Sequence, residues 1–272
     1  MTDIPSDSDR SAEPEEQQPE HPPDRSTADI AIICSHTAEI RPFLKRLDRI
    51  RKYSDRGCTF RGGFLHEVVR VAIVTAPRGF VGHRVATEIL QREHHPRWIF
   101  SAGFSSAIAP ELKSGDLCVS TEICDTHGNS QPVKCSIPAS KRIHVGRLVT
   151  ADGQPTTAEA KQLLFETSGA LAVDTTSLAV AQICANTETR FLAIRAVCDE
   201  QQETIPEQAA ALIFDSGSRA IGKAAGTLFQ GFSRLKELHS WRQRSITAAQ
   251  NMDRFLAGIV EQLAERIVQQ RS

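Results

Sequence analysis

The chain predicts a three-layer α/β fold in which a mixed central sheet is flanked by helices. Two observations carry that expectation. Short apolar runs of strand length alternate, from residue 29 onward, with segments whose apolar residues recur at helical spacing. Clusters of Gly, Pro, Ser and Asp punctuate the boundaries between them.

The first 28 residues stand apart. MTDIPSDSDRSAEPEEQQPEHPPDRSTA is rich in Pro, Ser, Glu and Asp and nearly free of large apolar side chains. Such a segment cannot offset its ordering entropy by burial, so residues 1–28 read as a disordered tail and 29–272 as one domain.

Ile30 to Ile33 is an apolar run that fits a buried strand, and Ile40, Phe43, Leu44, Leu47 and Ile50 then recur at helical spacing. Residues 58–62 and 65–75 suggest two strands turning at Gly62-Gly63. A helix is expected over 80–92, a strand from Arg97 to Ala102, and another from Leu117 to Cys124 after the turn Ser114-Gly115-Asp116. A loop with Pro132 and Pro138 leads to a strand over 144–150. Residues 157–167 read as helix, 170–174 as strand, 175–186 as helix and Arg190 to Cys198 as strand. The remainder is helical, with a break near Asp215-Ser216-Gly217. Its last segment, 245–270, lines up Ile246, Ala249, Met252, Phe255, Leu256, Ile259, Val260, Leu263 and Ile267 on one stripe. That stripe suits packing on the sheet or on a second subunit better than a membrane surface.

Composition removes several classes of function. The 272 residues carry 32 basic and 33 acidic side chains, a formal charge of −1, which gives no nucleic-acid footprint and no polybasic patch. Aromatic residues make up 6%, too few for a stacking platform. No apolar run is long enough to span a bilayer and the N-terminus lacks the apolar core of a signal peptide, so the expected location is the cytoplasm. The seven cysteines are an odd number in mostly apolar contexts, which fits reduced core residues; with no C-x-x-C pair, zinc is not expected. The G-x-x-x-x-G-K-[ST], G-x-G-x-x-G and G-x-S-x-G patterns are all missing.

In open α/β sheets ligands sit beyond the carboxyl ends of the strands. The polar residues expected there are Cys34-Ser35-His36 with Glu39 on the following helix, and the Thr75-to-Gly79 loop. In that loop backbone N–H groups and Arg78 would hold an anion. Gly103 to Ser106, Asp174-Thr175-Thr176-Ser177 and Cys198-Asp199-Glu200 complete the edge. Singly, such residues are most often caps and turns.

The order of these pieces resembles the nucleoside phosphorylase superfamily, in particular its methylthioadenosine/S-adenosylhomocysteine nucleosidase-like branch. IAIICSHTAEI is similar to that family's first strand and glutamate-bearing helix. HPRWIFSAGFSSAIAPELKSGDLCVSTEI, GRLVTADG and FLAIRAVCDE follow in family order, over roughly 29–200. TIPEQAAALIFDSGSRAIGKAAGTL more loosely resembles hopanoid-associated phosphorylases of the same superfamily.

The resemblance implies cleavage of the N-glycosidic bond of a nucleoside-type substrate, by hydrolysis or phosphorolysis. It assigns Glu39 to the nucleophile and Asp199 to protonation of a leaving purine at N7. Gly103, Phe104, Asp174, Thr175, Thr176 and Ser177 fall at the substrate, and Arg78, Gly79 and Arg84 in the phosphate loop. It implies no metal or organic cofactor, phosphate only as a co-substrate, and a homodimer or larger homo-oligomer.

The chain departs from the pattern in two places. Where the family reads Val-Glu-Met-Glu, this chain reads Val173-Asp174-Thr175-Thr176, so Thr176 replaces the glutamate that binds the ribose hydroxyls. Phe104 and Ser106 replace small residues. These departures leave a second expectation open, a catalytically silent nucleoside- or metabolite-binding protein on the same fold.

Overall fold

The computed structural model describes residues 26–134, 137–214 and 232–269. At the centre is β1 (Ile30–Cys34), apolar on both faces and wholly buried, as a parallel central strand must be. It pairs in parallel with β4 (Val69–Thr75) on one side and β5 (Trp98–Ala107) on the other. Beyond β4 the sheet continues antiparallel through β3 (Cys58–Leu65) to the edge strand β2 (Asp48–Asp55).

On the other side the sheet closes on itself. β5 pairs in parallel with β10 (Arg190–Asp199), which pairs antiparallel with β6 (Leu117–Asp125). β6 then pairs with β8 (Ile143–Thr150), β8 with β9 (Ala172–Asp174), and β9 returns to β5. The short β7 (Ser130–Pro132) extends β6. Helices α1 (Thr37–Leu44) and α6 (Phe232–Gln269) pack together, as do α2 (Phe80–His94) and α4 (Ser177–Asn186); α5 (Glu207–Phe214) packs on α6, and α3 (Ala158–Ser168) meets the end of β10 through Lys161. The mixed sheet flanked by helices is the architecture the sequence predicts.

Several expected boundaries move, for physical reasons. The first helix stops at Leu44, and Leu47 and Ile50 leave the helical stripe: Leu47 is buried in the connection and Ile50 lies exposed on β2. β2 reads DRIRKYSD and has almost no buried face, so its sequence carries no alternation. It is held by backbone pairing and by Tyr53, which stacks on Phe60 and hydrogen-bonds His94 at 2.7 Å. Gly62 and Gly63 lie inside β3 rather than at a turn, because a Cβ at Gly63 would meet the Asp48 carbonyl at 3.0 Å. The turn falls at His66 and Glu67, both with positive φ.

β5 continues past Ala102 to Ala107, since Gly103 to Ser105 keep register with Arg195 to Val197 of β10. The last helix begins at Phe232, well before the expected 245; Ile246 is exposed, whereas Met252, Leu256 and Val260 are fully buried. The expected break at 215–217 and residues 1–25 of the expected tail lie outside the described residues. Ala28, the tail's last residue, is already packed, with its N–H donating to the His94 carbonyl at 2.8 Å. No helix among the described residues is long and apolar enough to cross a membrane.

Candidate active site

β1, β5, β9 and β10 bring Glu39, Gly103, Thr176 and Arg195 to one small cavity at their carboxyl ends. The first turn of α1 is a capping box: His36 Nδ1 accepts the Ala38 N–H, and Glu39, three residues after the cap, reaches back. Glu39 Oε2 accepts the N–H groups of Ser35 and His36, both at 2.9 Å, and Oε1 accepts that of Phe104 at 3.0 Å. The carboxylate thus ties α1 to β5 and still borders the cavity. Gly103 is required by this approach, because a Cβ there would lie 3.0 Å from Glu39 Oε1 and 3.3 Å from Arg195 Nη1.

Arg195 is the hub. Its Nε donates to Asp174 Oδ2 at 2.8 Å, and its two terminal nitrogens reach Ser101, Ile194, Thr176 and Ser177. Asp174 is filled in turn: Oδ1 accepts from the Thr176 and Ser177 N–H groups and from Thr150 Oγ1, and Oδ2 accepts from Ser177 Oγ. Burial pushes the Asp174 carboxyl upward, but the Arg195 charge and the Ser177 and Thr176 bonds outweigh it and hold it below the ordinary aspartate value. Beside them, burial reinforced by the Arg195 charge pushes His83 down to about 4, so it is a neutral imidazole hydrogen-bonding Ser35 and Gly79.

The expected site residues therefore divide. Glu39, Gly103, Phe104, Thr175 and Thr176 border the cavity. Asp174 borders it too but spends its oxygens holding Arg195 and the start of α4; Ser177 is consumed in the same network and has no exposure. Asp174 and Ser177 thus form the frame that holds Arg195 and the start of α4 at the cavity edge. Thr176 does not cap α4 through its hydroxyl; the Asp174 carboxylate does that, and Thr176 Oγ1 accepts from Arg195.

Arg78 reaches the cavity, where it donates to the Phe214 carbonyl and lies over the Phe214 ring. Gly79, with φ of 96°, starts α2 at the outer mouth. Arg84 is exposed on α2 and pairs with Glu88 one turn on, and it does not border the cavity.

Asp199 lies behind the cavity wall. Its Oδ1 accepts from Ser106 Oγ at 2.8 Å, and Ser106 accepts from Gln154, which does border the cavity. Its Oδ2 forms an ion pair with Lys161 of α3, both side chains being fully buried. Burial pushes the Asp199 carboxyl up to about 6, with Lys161 and Ser106 opposing.

Arg195, Gln154, Lys161 and Phe214 are the residues that sequence reasoning passed over. Arg195 left a signal, a lone cation inside the apolar run FLAIRAVC. Lys161 left none.

The cavity measures about 20 Å³, room for little more than one water. Outside Arg78 and Phe214 it opens toward a 440 Å³ hollow bordered by Gly79, Asp152, Gln154, Glu207 and Ala210.

This is a α/β protein with a carboxylate, a guanidinium and hydroxyls gathered at the carboxyl ends of its strands, the arrangement of a polar small-molecule site. A family model described as the phosphorylase superfamily matches residues 29–141 and 135–232, and the chain belongs to that superfamily. It is 23% identical, over 225 residues, to the 5'-methylthioadenosine/S-adenosylhomocysteine nucleosidase of Oceanobacillus iheyensis, a match covering 73% of this chain and 96% of that protein. Two solved structures share the fold. The 5'-methylthioadenosine/S-adenosylhomocysteine nucleosidase of Neisseria meningitidis, in complex with methylthio-immucillin-A, superposes with a TM-score of 0.65 at 18% identity, covering 88% of this chain and 99% of that one. Futalosine hydrolase of Helicobacter pylori gives 0.62 at 17% identity, covering 86% and 97%.

Proposed function

We propose that this protein cleaves the N-glycosidic bond of a purine nucleoside-type substrate, by hydrolysis or by phosphorolysis. The observation that carries the reading is Glu39: a buried carboxylate, fixed by three backbone N–H groups, facing a cavity beside Arg195. Glycosidic cleavage passes through an oxocarbenium-like sugar, so one group must place the nucleophile and another must protonate the leaving base. Glu39 takes the first role and Asp199 the second, once Gln154 gives way between Asp199 and the base. Thr175 and Thr176 face the sugar. Arg78 and the start of α2 at Gly79 supply the anion site if phosphate is the nucleophile.

Ligand pockets usually enclose about 300–1,000 Å³, so a nucleoside requires the Arg78–Phe214 contact to part and join the cavity to the outer hollow. No organic cofactor belongs to this reading. A homodimer or larger closed assembly does, as is usual for soluble oligomers, and light scattering at micromolar concentration tests it. The cytoplasm is the expected compartment; the buried, unbridged thiols of Cys34, Cys118, Cys184 and Cys198 accord with it.

The second reading, a silent binding protein, has its own observation: Asp199 is locked against Lys161 and closed off from the cavity. One experiment separates the two. A panel of ribonucleosides is assayed for free base with and without phosphate, in wild type and Asp199→Asn. Binding without base release from any of them would leave the silent reading standing.

A further inference from the structure

Helix α3 packs Leu164 and Phe165 only half-buried against the core, and its deepest residue is a lysine. Leu163 stands 63% exposed, while Lys161, two residues earlier, is fully buried and is the one residue of the helix that is. Burying an ammonium is costly unless its partners replace water completely. Here they do. Lys161 Nζ donates to the carbonyls of Glu200 at 2.9 Å and Glu203 at 2.7 Å, and pairs with Asp199 Oδ2.

We propose that Lys161 is a positioning residue for Asp199. Its ammonium is fixed by the loop after β10, clamps Oδ2 and turns Oδ1 toward Ser106 and the cavity. The inference rests on the glycosidic reading above and adds to it the residue that governs the acid.

The proton balance gives Lys161 a definite effect. As the C1′–N bond breaks, its electron pair goes to the base, and the O–H bond of Asp199 breaks to deliver a proton to the base nitrogen. The acid passes from neutral to anionic, and the Lys161 ammonium, unchanged throughout, stabilises that anion. Asp199 is therefore a stronger acid than its burial alone would allow, and fewer molecules hold the proton at neutral pH. Other charges facing it are few. Glu203 opposes ionisation and is itself held by Arg244 of α6 at 2.7 Å, while Glu39 of α1 acts on the neighbouring Cys198 thiol.

The test is the pH profile of base release in Lys161→Gln, which keeps a donor for the loop carbonyls, and in Lys161→Met. An opposite charge at this range lowers a carboxyl pKa by about 1–3 units, so its removal should move the alkaline limb of kcat/KM up by about 1–3 pH units and lower the plateau. A purely structural lysine would lower stability and leave the limb in place, and that result overturns the proposal.

A second readout needs no turnover and survives failure of the glycosidic reading. In wild type, the carboxyl carbon resonance of Asp199, assigned with Asp199→Asn, should titrate with the same midpoint as a shift of the Lys161 ammonium resonance. Independent titration of the two overturns the clamp, even if the Lys161 variants do not fold or no nucleoside is cleaved.

Discussion

Among the described residues, Arg195 is the cation that neutralises Asp174, and the cost of Arg195→Met can be worked from its contacts. The guanidinium reaches six acceptor atoms, and all of its partners lie in β5, β9, β10 or the start of α4. Breaking a buried ion pair by deleting one partner costs about 3–5 kcal/mol, because the other charge stays buried. Against a total stability of about 5–15 kcal/mol this is a large share. At about 2–4 °C per kcal/mol for a domain of this size, Tm should fall by about 6–20 °C.

The pH dependence should change sign as well. In wild type the folded pKa of Asp174 lies below its unfolded value, so its contribution is complete above an unfolded pKa of about 3.9 and is lost as pH falls through the lower folded value. Without Arg195, burial has only the Ser177 and Thr176 hydrogen bonds against it, and the folded pKa should rise above the unfolded one. The variant should then regain stability on acidification, and its gap to wild type should narrow from about pH 7 to pH 4.

Urea denaturation across that range measures both effects. The double variant Arg195→Met/Asp174→Asn should be less destabilised than the sum of the single variants, since neither leaves an unpaired charge in the presence of the other. A loss below about 1 kcal/mol, or simple additivity, would refute the account of Arg195 as the neutralising hub.

Three further outcomes follow from the site. Glu39→Gln should lower base release by about 10²–10⁴-fold and cost about 1–2 kcal/mol through the weakened capping box; unchanged turnover removes Glu39 from the chemistry. Thr176→Glu puts a second carboxylate beside Arg195 and should raise ribonucleoside over 2′-deoxynucleoside affinity by about tenfold or more, given about 1.5–3 kcal/mol for each charge-assisted bond. An unchanged ratio would take position 176 out of the sugar pocket. Phe214→Ala should open the cavity and lower KM at a stability cost of about 3–5 kcal/mol, and an unaltered KM shows that Phe214 is not the barrier.

The local sequence determined the alternation of strands and helices, the parallel core strand Ile30–Cys34 and the placement of polar residues at strand ends. Each of these is written in short-range apolar periodicity. It also marked Glu39 and Thr176, because polar residues in the turn and first helical turn after a buried strand fall at the sheet's carboxyl edge. The edge strand β2 escaped it, since a strand with no buried face leaves no alternating pattern.

Only the tertiary structure decided how the site is wired. Asp174 looked like an open ligand until β10 brought Arg195 beneath it, and Asp199 looked like an open acid until α3 delivered Lys161 from 38 positions earlier in the chain. The charge of a side chain is local, but what neutralises it in a buried site is set by long-range packing. Whether a carboxylate is free to act is therefore a property of the fold and not of its segment.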